Sequence, residues 1–114
     1  MSKLGDKIRR AREFTREING WTLKLRRPTD AEAGGILRAD SAPVLEVSTD
    51  FVIGWEGVTE ADLVTSGASD PAVFDKDTWS EVIVDRPDMW EPICTAVVNA
   101  WVDHNKAKKD RAKN

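Results

Sequence analysis

Two side chains in this sequence could act as a base or a nucleophile, and neither has the neighbours such chemistry needs. His104 is the single histidine; it falls one helical turn past Trp101 and beside a cationic tail, the setting of a surface imidazole rather than a general base. Cys94 is the single cysteine. It lies on an apolar stripe near a proline, with no basic neighbour in sequence to draw its thiol toward the thiolate. Carboxylates at Asp75, Asp77, Glu81, Asp85, Asp88 and Glu91 are dense enough to raise the question of a metal. They lack the regular oxygen spacing and central glycine of a calcium loop, and helix-capping positions account for several of them. The sequence has no glycine-rich phosphate loop, paired-cysteine motif or dinucleotide fingerprint. The expectation is a protein that is not an enzyme and that carries no metal or cofactor.

What remains is the chemistry of recognition. From Phe51 to Val58 an apolar run ends in Gly54-Trp55-Glu56-Gly57. Glycine permits backbone angles that other residues resist, so this segment is expected to turn sharply and hold Trp55 and Glu56 in a fixed orientation as a docking element. Five tryptophans and three phenylalanines stand against no tyrosine, so the large apolar area rests on Trp21, Trp55, Trp79, Trp90 and Trp101. Any that lie outside mark an interface. Trp55 and the stripe from Trp90 to Trp101 are expected to divide between core and contact surface.

Charge is segregated along the chain. Residues 1–27 carry +6, residues 28–103 carry −13 and residues 104–114 carry +4. Opposite blocks can steer the basic end of one copy, through Arg9, Arg10, Arg12 and Arg16, toward the acidic middle of another. The same arginines could instead meet phosphates. Against nucleic acid stand the acidic body, the lack of aromatics among the basic residues apart from Phe14, and the lack of a helix-turn-helix pair.

The elements that would position these residues follow from periodicity. Leu4, Ile8, Ala11, Phe14 and Ile18 draw one helical stripe, stopped at Asn19-Gly20. Trp21, Leu23 and Leu25 alternate with polar residues as a short strand that Pro28 ends. Thr29 and Glu32 have capping-box spacing and open a short helix, weakened by Gly34-Gly35 and closed by Ser41-Ala42-Pro43. Val44 to Trp55 is read as helix. Thr59 caps a brief turn through Asp62, and residues 65–71 form an exposed loop. Asp75 caps a helix with Phe74 and Trp79 as its hydrophobic staple and Trp79, Val82 and Ile83 as its buried face. Arg86-Pro87 breaks it. Asp88, with Glu91, caps the last helix, Pro92 falls in its first turn, and Trp90, Ile93, Val97, Ala100 and Trp101 form its stripe.

At 114 residues the chain is expected to be one mainly α domain, with about four to five helices and a minor β element near the N-terminal third. Within it, residues 1–20 are read as a basic helix, 21–104 as the body and 105–114 as a basic tail. A single cysteine fits a reducing compartment, and no run approaches the roughly 20 apolar residues of a membrane span. The expected location is cytoplasmic, with no membrane partner.

Gly54-Trp55-Glu56-Gly57-Val58 after an apolar run, then a loop, Phe74, an acid-capped helix with Trp79 and a final apolar helix, resembles the tail assembly chaperones of long-tailed bacteriophages. The upstream segment from Leu23 to Glu32 looks like the strand, proline and capping box that open the same family. The likeness covers about residues 21–104, with an enlarged loop at residues 65–70 and a basic leader outside it. It implies a factor of the infected host cytoplasm that coats the helical tape measure protein, keeps it soluble, brings tail tube protein to it and is absent from the mature virion. Self-association into rings or spirals is implied, as is a longer frameshifted product. The alternatives are a small DNA-binding or regulatory phage protein using the basic first helix, and a structural subunit of the tail.

Overall fold

The computed structural model describes residues 3–38 and 43–112. Its centre is a hairpin whose turn chemistry is local. Strand β1 (Glu13–Ile18) runs antiparallel to β2 (Trp21–Arg26), with Ile18 opposite Trp21 and Glu13 opposite Arg26. The link is Asn19-Gly20, at φ 49° and 88°. Two positive φ values make the mirror-image turn that matches strand twist, and asparagine and glycine tolerate it best. A third strand, β3 (Val52–Glu56), pairs antiparallel with the other edge of β2, with a bulge opposite Lys24 and Leu25.

This overturns the expectation of a mainly helical chain with a minor β element. Among the described residues there are six helices and a three-stranded antiparallel sheet, a mixed α/β fold. The first helix, α1 (Lys3–Arg10), stops before Ala11, Phe14 and Ile18, so residues 1–20 are not one basic helix. Phe14 and Ile18 are four apart, which satisfies a helical stripe and also puts both on one side of a strand. The strand wins because β2 needs a hydrogen-bonding neighbour, and a two-residue turn supplies it. The helix read from Val44 to Trp55 likewise divides. It is helical as α3 (Val44–Asp50), and then Val52 to Glu56 turn to strand, where β-branched residues pack on a half-buried surface.

One face of the sheet is polar, with Lys24 bridging to Glu13 at 3.1 Å. The other is packed. Leu23, Leu25 and Val52 meet Val47 and Phe51 of the α3 segment, Trp79 and Ile83 of α5 (Lys76–Ile83), and Met89, Ile93 and Val97 of α6 (Pro87–Ala112). Phe74 and Trp79 lie 6.3 Å apart across the Asp75 cap, as the staple requires. The Lys76 ammonium donates to the carbonyls of Thr49, Asp50 and Val52 at 2.9–3.0 Å, tying α5 to the end of α3. Cations sit well at such a helix C-terminus.

Helix α2 (Asp30–Arg38) opens on the expected capping box: the Thr29 amide donates to Glu32 at 3.0 Å and the Glu32 amide to the Thr29 hydroxyl at 3.2 Å. Burial raises the Glu32 carboxyl, and the Arg26 guanidinium and Thr29 amide overcome this and hold it below the usual range. Of the proposed closing segment, Ser41-Ala42 lies outside the described residues.

The start of α6 differs from the capping expected at Asp88. Pro87 itself is the first helical residue, a position that suits its fixed φ, so Asp88 lies inside the helix and Pro92 falls in the second turn. Pro92 has no N–H for the Asp88 carbonyl four residues back. Asn19 replaces it: its side-chain amide donates to the Asp88 carbonyl at 3.0 Å and to the Asp88 carboxylate at 3.1 Å. The hairpin turn thereby mends the helix.

The radius of gyration is 15.8 Å, against about 13 Å for a compact chain of this length. The excess comes from the ends. Helix α6 is 26 residues long, or about 39 Å, and is mostly exposed beyond Trp101. Helix α1 has no buried residue.

Candidate functional site

The Gly54 to Gly57 segment, expected to turn sharply ahead of Trp55 and Glu56, is strand through Glu56 and turns after them. Gly54 lies within β3 opposite Lys24, where a Cβ would stand 3.4 Å from the lysine Cβ. Only Gly57, at φ +73°, turns the chain. Trp55 points to the core side beside Leu23 and joins an edge-on aromatic cluster, 6.3 Å from Trp21, 5.0 Å from Phe74 and 6.2 Å from Trp79. Its indole N–H donates to the Ala72 carbonyl at 2.9 Å, pinning the long connection that follows β3. Glu56 is exposed at the strand end.

Three other tryptophans are anchored through their indole N–H groups. Trp79 donates to the Ser48 carbonyl at 2.8 Å, and Trp90 to the Ile83 carbonyl at 2.6 Å. Trp101 donates to Asp30 at 2.8 Å, and Lys108 also reaches that carboxylate at 2.6 Å. These two bonds hold the Asp30 carboxyl low. Trp90 and Trp101 are both half-buried, at the margin between core and surface.

The connection after β3 is tightly built, and its residues 65–71 are mostly exposed, as expected of a loop. Thr59 and Asp62 form a reciprocal capping box on α4 (Glu60–Leu63). The amides of Glu60 and Ala61 then donate to the carbonyls of Asp70 and Ala68, and Ala72 donates to Val58. Gly67 sits so close beneath α4 that a Cβ would press on the Glu60 carbonyl and lie 2.8 Å from the Ala61 nitrogen.

Between α4, α5 and the hairpin turn this packing leaves a groove of about 430 Å³. Its apolar walls come from Trp21, Leu63, Val64 and Val82, and its rim from the carboxylates Glu60, Asp62, Glu81 and Asp85. One cation lines it, Arg86. That guanidinium lies 4.9 Å over the Trp21 ring and is paired with Asp88 at 3.1 Å, so the rim is acidic on balance. Sequence reading missed this groove because its walls come from three separated segments. The signal available was Val64, a valine that no helical or strand period claims.

The four arginines expected to share a helix are dispersed. Arg9 and Arg10 are exposed on α1, Arg9 pairing with Asp6. Arg12 is half-buried in the following turn, and Arg16 on β1 lies 5.0 Å over Phe14. What α1 does present is an apolar pair: Leu4 is 67% exposed and Ile8 51%. Arg12 joins Arg27, Thr29, Asp30 and His104 around a second hollow of about 180 Å³. Burial lowers the His104 imidazole, the Arg27 and Lys108 charges lower it further, and Asp30 opposes them.

Cys94 is buried, and burial followed by the Glu91 charge pushes its thiol up, away from the nucleophilic thiolate. Among the described residues no three His, Cys, Asp or Glu side chains converge as metal ligands, and no helix is long and apolar enough to cross a membrane. Comparison with family models, curated proteins and solved structures finds no match.

Proposed function

We propose that the protein is a non-enzymatic tail assembly chaperone of a long-tailed phage. It self-associates in the host cytoplasm, holds the tape measure protein soluble, recruits tail tube protein and leaves before the virion is complete. The observation that carries this reading is α1, a cationic helix with an apolar pair turned outward and no residue in the core. A helix of that kind costs solubility unless it docks, and docking in many weak copies along a long client is what such a chaperone requires. The resemblance of residues 21–104 supplies the client. Arg12 and Arg16 fall outside α1, which leaves the DNA-binding alternative the four cations Lys3, Lys7, Arg9 and Arg10 of that helix.

The test is co-expression with the long helical open reading frame encoded beside a tail tube gene. The soluble fraction of that product should rise severalfold and the two proteins should copurify. Unchanged solubility, with no copurification at low salt, would reject the client.

A further inference from the structure

The helix that lacks a place in the core and the groove that lacks an occupant are complementary. On α1, Leu4 and Ile8 form the apolar stripe, and Lys3, Lys7 and Arg10 line one flank of it at i, i+4 and i+7. The groove has the opposite pattern on balance, an apolar lining that includes Trp21 and Val82 with four carboxylates, Glu81 and Asp85 among them, against one cation, Arg86, which lies over the Trp21 ring and is paired with Asp88. We propose that α1 of one copy seats in this groove of a second copy, Leu4 and Ile8 entering it while the basic flank meets the acidic rim. This deepens the reading above and rests on the self-association it includes.

Geometry favours a second copy over the chain's own helix. Helix α1 leads into the Glu13 end of the hairpin, paired with Arg26, whereas the groove lies at the Trp21 end. Five residue steps of strand, about 17 Å, separate those ends. The Arg27 amide also donates to the Arg12 carbonyl at 2.8 Å, which fixes the chain just after α1. An eight-residue helix is about 12 Å long, and in the structure its apolar pair faces out. Because helix and groove are different surfaces, the contact is head-to-tail. Such contacts propagate into rings or spirals instead of stopping at a dimer.

Charge reversal tests this at four exposed positions. One variant carries Lys7→Glu with Arg10→Glu and keeps the native groove; the other carries Glu81→Lys with Asp85→Lys and keeps the native α1. Each alone opposes like charges, so each should associate at least about tenfold more weakly than the native chain in low-salt sedimentation velocity. Mixed one to one, every helix faces a groove of opposite sign, and assembly should return. Circular dichroism and melting of each variant, matched to the native chain, show that folding is intact; Ile8→Ser gives a second, uncharged disruption of the same contact.

Variants that assemble like the native chain, or a mixture that stays dissociated, would overturn the proposal. In the first case, with the native protein still assembling, self-association stands and the groove is left to a client helix. A native chain that never assembles overturns both, and protection of its α1 from protease that groove reversal abolishes would identify docking within one chain.

Discussion

Trp79→Ala is expected to lower the unfolding free energy by about 3–5 kcal/mol, the range for deleting a large buried aromatic. Trp79 is fully buried, touches the Trp55 and Phe74 rings, and sends its indole N–H to the Ser48 carbonyl at 2.8 Å. Its loss opens a cavity where α3, α5 and the sheet meet, and leaves that carbonyl without its donor. Trp79→Phe separates the two contributions: it keeps most of the packing and loses the hydrogen bond, for about 1–2 kcal/mol plus a smaller cavity. Against domain stabilities of about 5–15 kcal/mol, that loss removes a large share of the total. Urea denaturation followed by tryptophan fluorescence gives both values, and equal losses for the two variants would show that packing at Trp79 matters less than its hydrogen bond.

Gly67→Ala is expected to destabilise by about 1–3 kcal/mol, as over-packing does. The sign is the informative part. Glycine to alanine in a loop ordinarily stabilises by about 0.4–1 kcal/mol, because it restricts the unfolded chain. Here the added methyl meets the Glu60 carbonyl and the Ala61 nitrogen, backbone atoms in the first turn of α4 that cannot swing aside. The turn must shift, carrying Leu63 and one wall of the groove with it, so self-association should weaken beyond what the melting temperature explains. Thermal melting and sedimentation on the same sample check both effects. A more stable variant with native assembly would mean that residues 59–72 adjust freely and do not define the groove.

The legible parts of this fold were those whose signals are local. The strand at Trp21 to Arg26, the capping box at Thr29 with Glu32, the Thr59 cap on a brief turn and the Asp75 cap all depend on residues within a turn of each other. Those signals hold whatever the rest of the chain does. Phe14 with Ile18 failed because even spacing of four serves either period, and the deciding fact was the need of β2 for a neighbour. Asn19-Gly20 is a strong hairpin signal when apolar residues flank it on both sides, and reading it as a helix stop hid β1. Val44 to Trp55 failed for a tertiary reason: β3 is strand because β2 has a second edge to fill.

The interaction surface was less legible than the fold. Trp55 was expected to be a docking residue held by its flanking glycines; in the structure its indole N–H donates to the Ala72 carbonyl, and its ring packs inward among three other aromatics. Arg9, Arg10, Arg12 and Arg16 look like one cluster in the linear chain and become three separate settings once β1 begins at Glu13. The segregation of charge survives folding in a narrower form, as a basic helix that stands off the core and an acid-rimmed groove at the other end of the hairpin. Neither surface could be located without knowing where the hairpin points.

Self-association through complementary charged and apolar surfaces is the claim on which the rest depends, and sedimentation velocity of the native chain across a salt series tests it most directly. At low ionic strength the protein is expected to form species well above the 12.7 kDa protomer, dissociating as the Debye length shrinks from about 10 Å at 0.1 M toward about 3 Å at 1 M. A single protomer-sized species at every salt and protein concentration would contradict it.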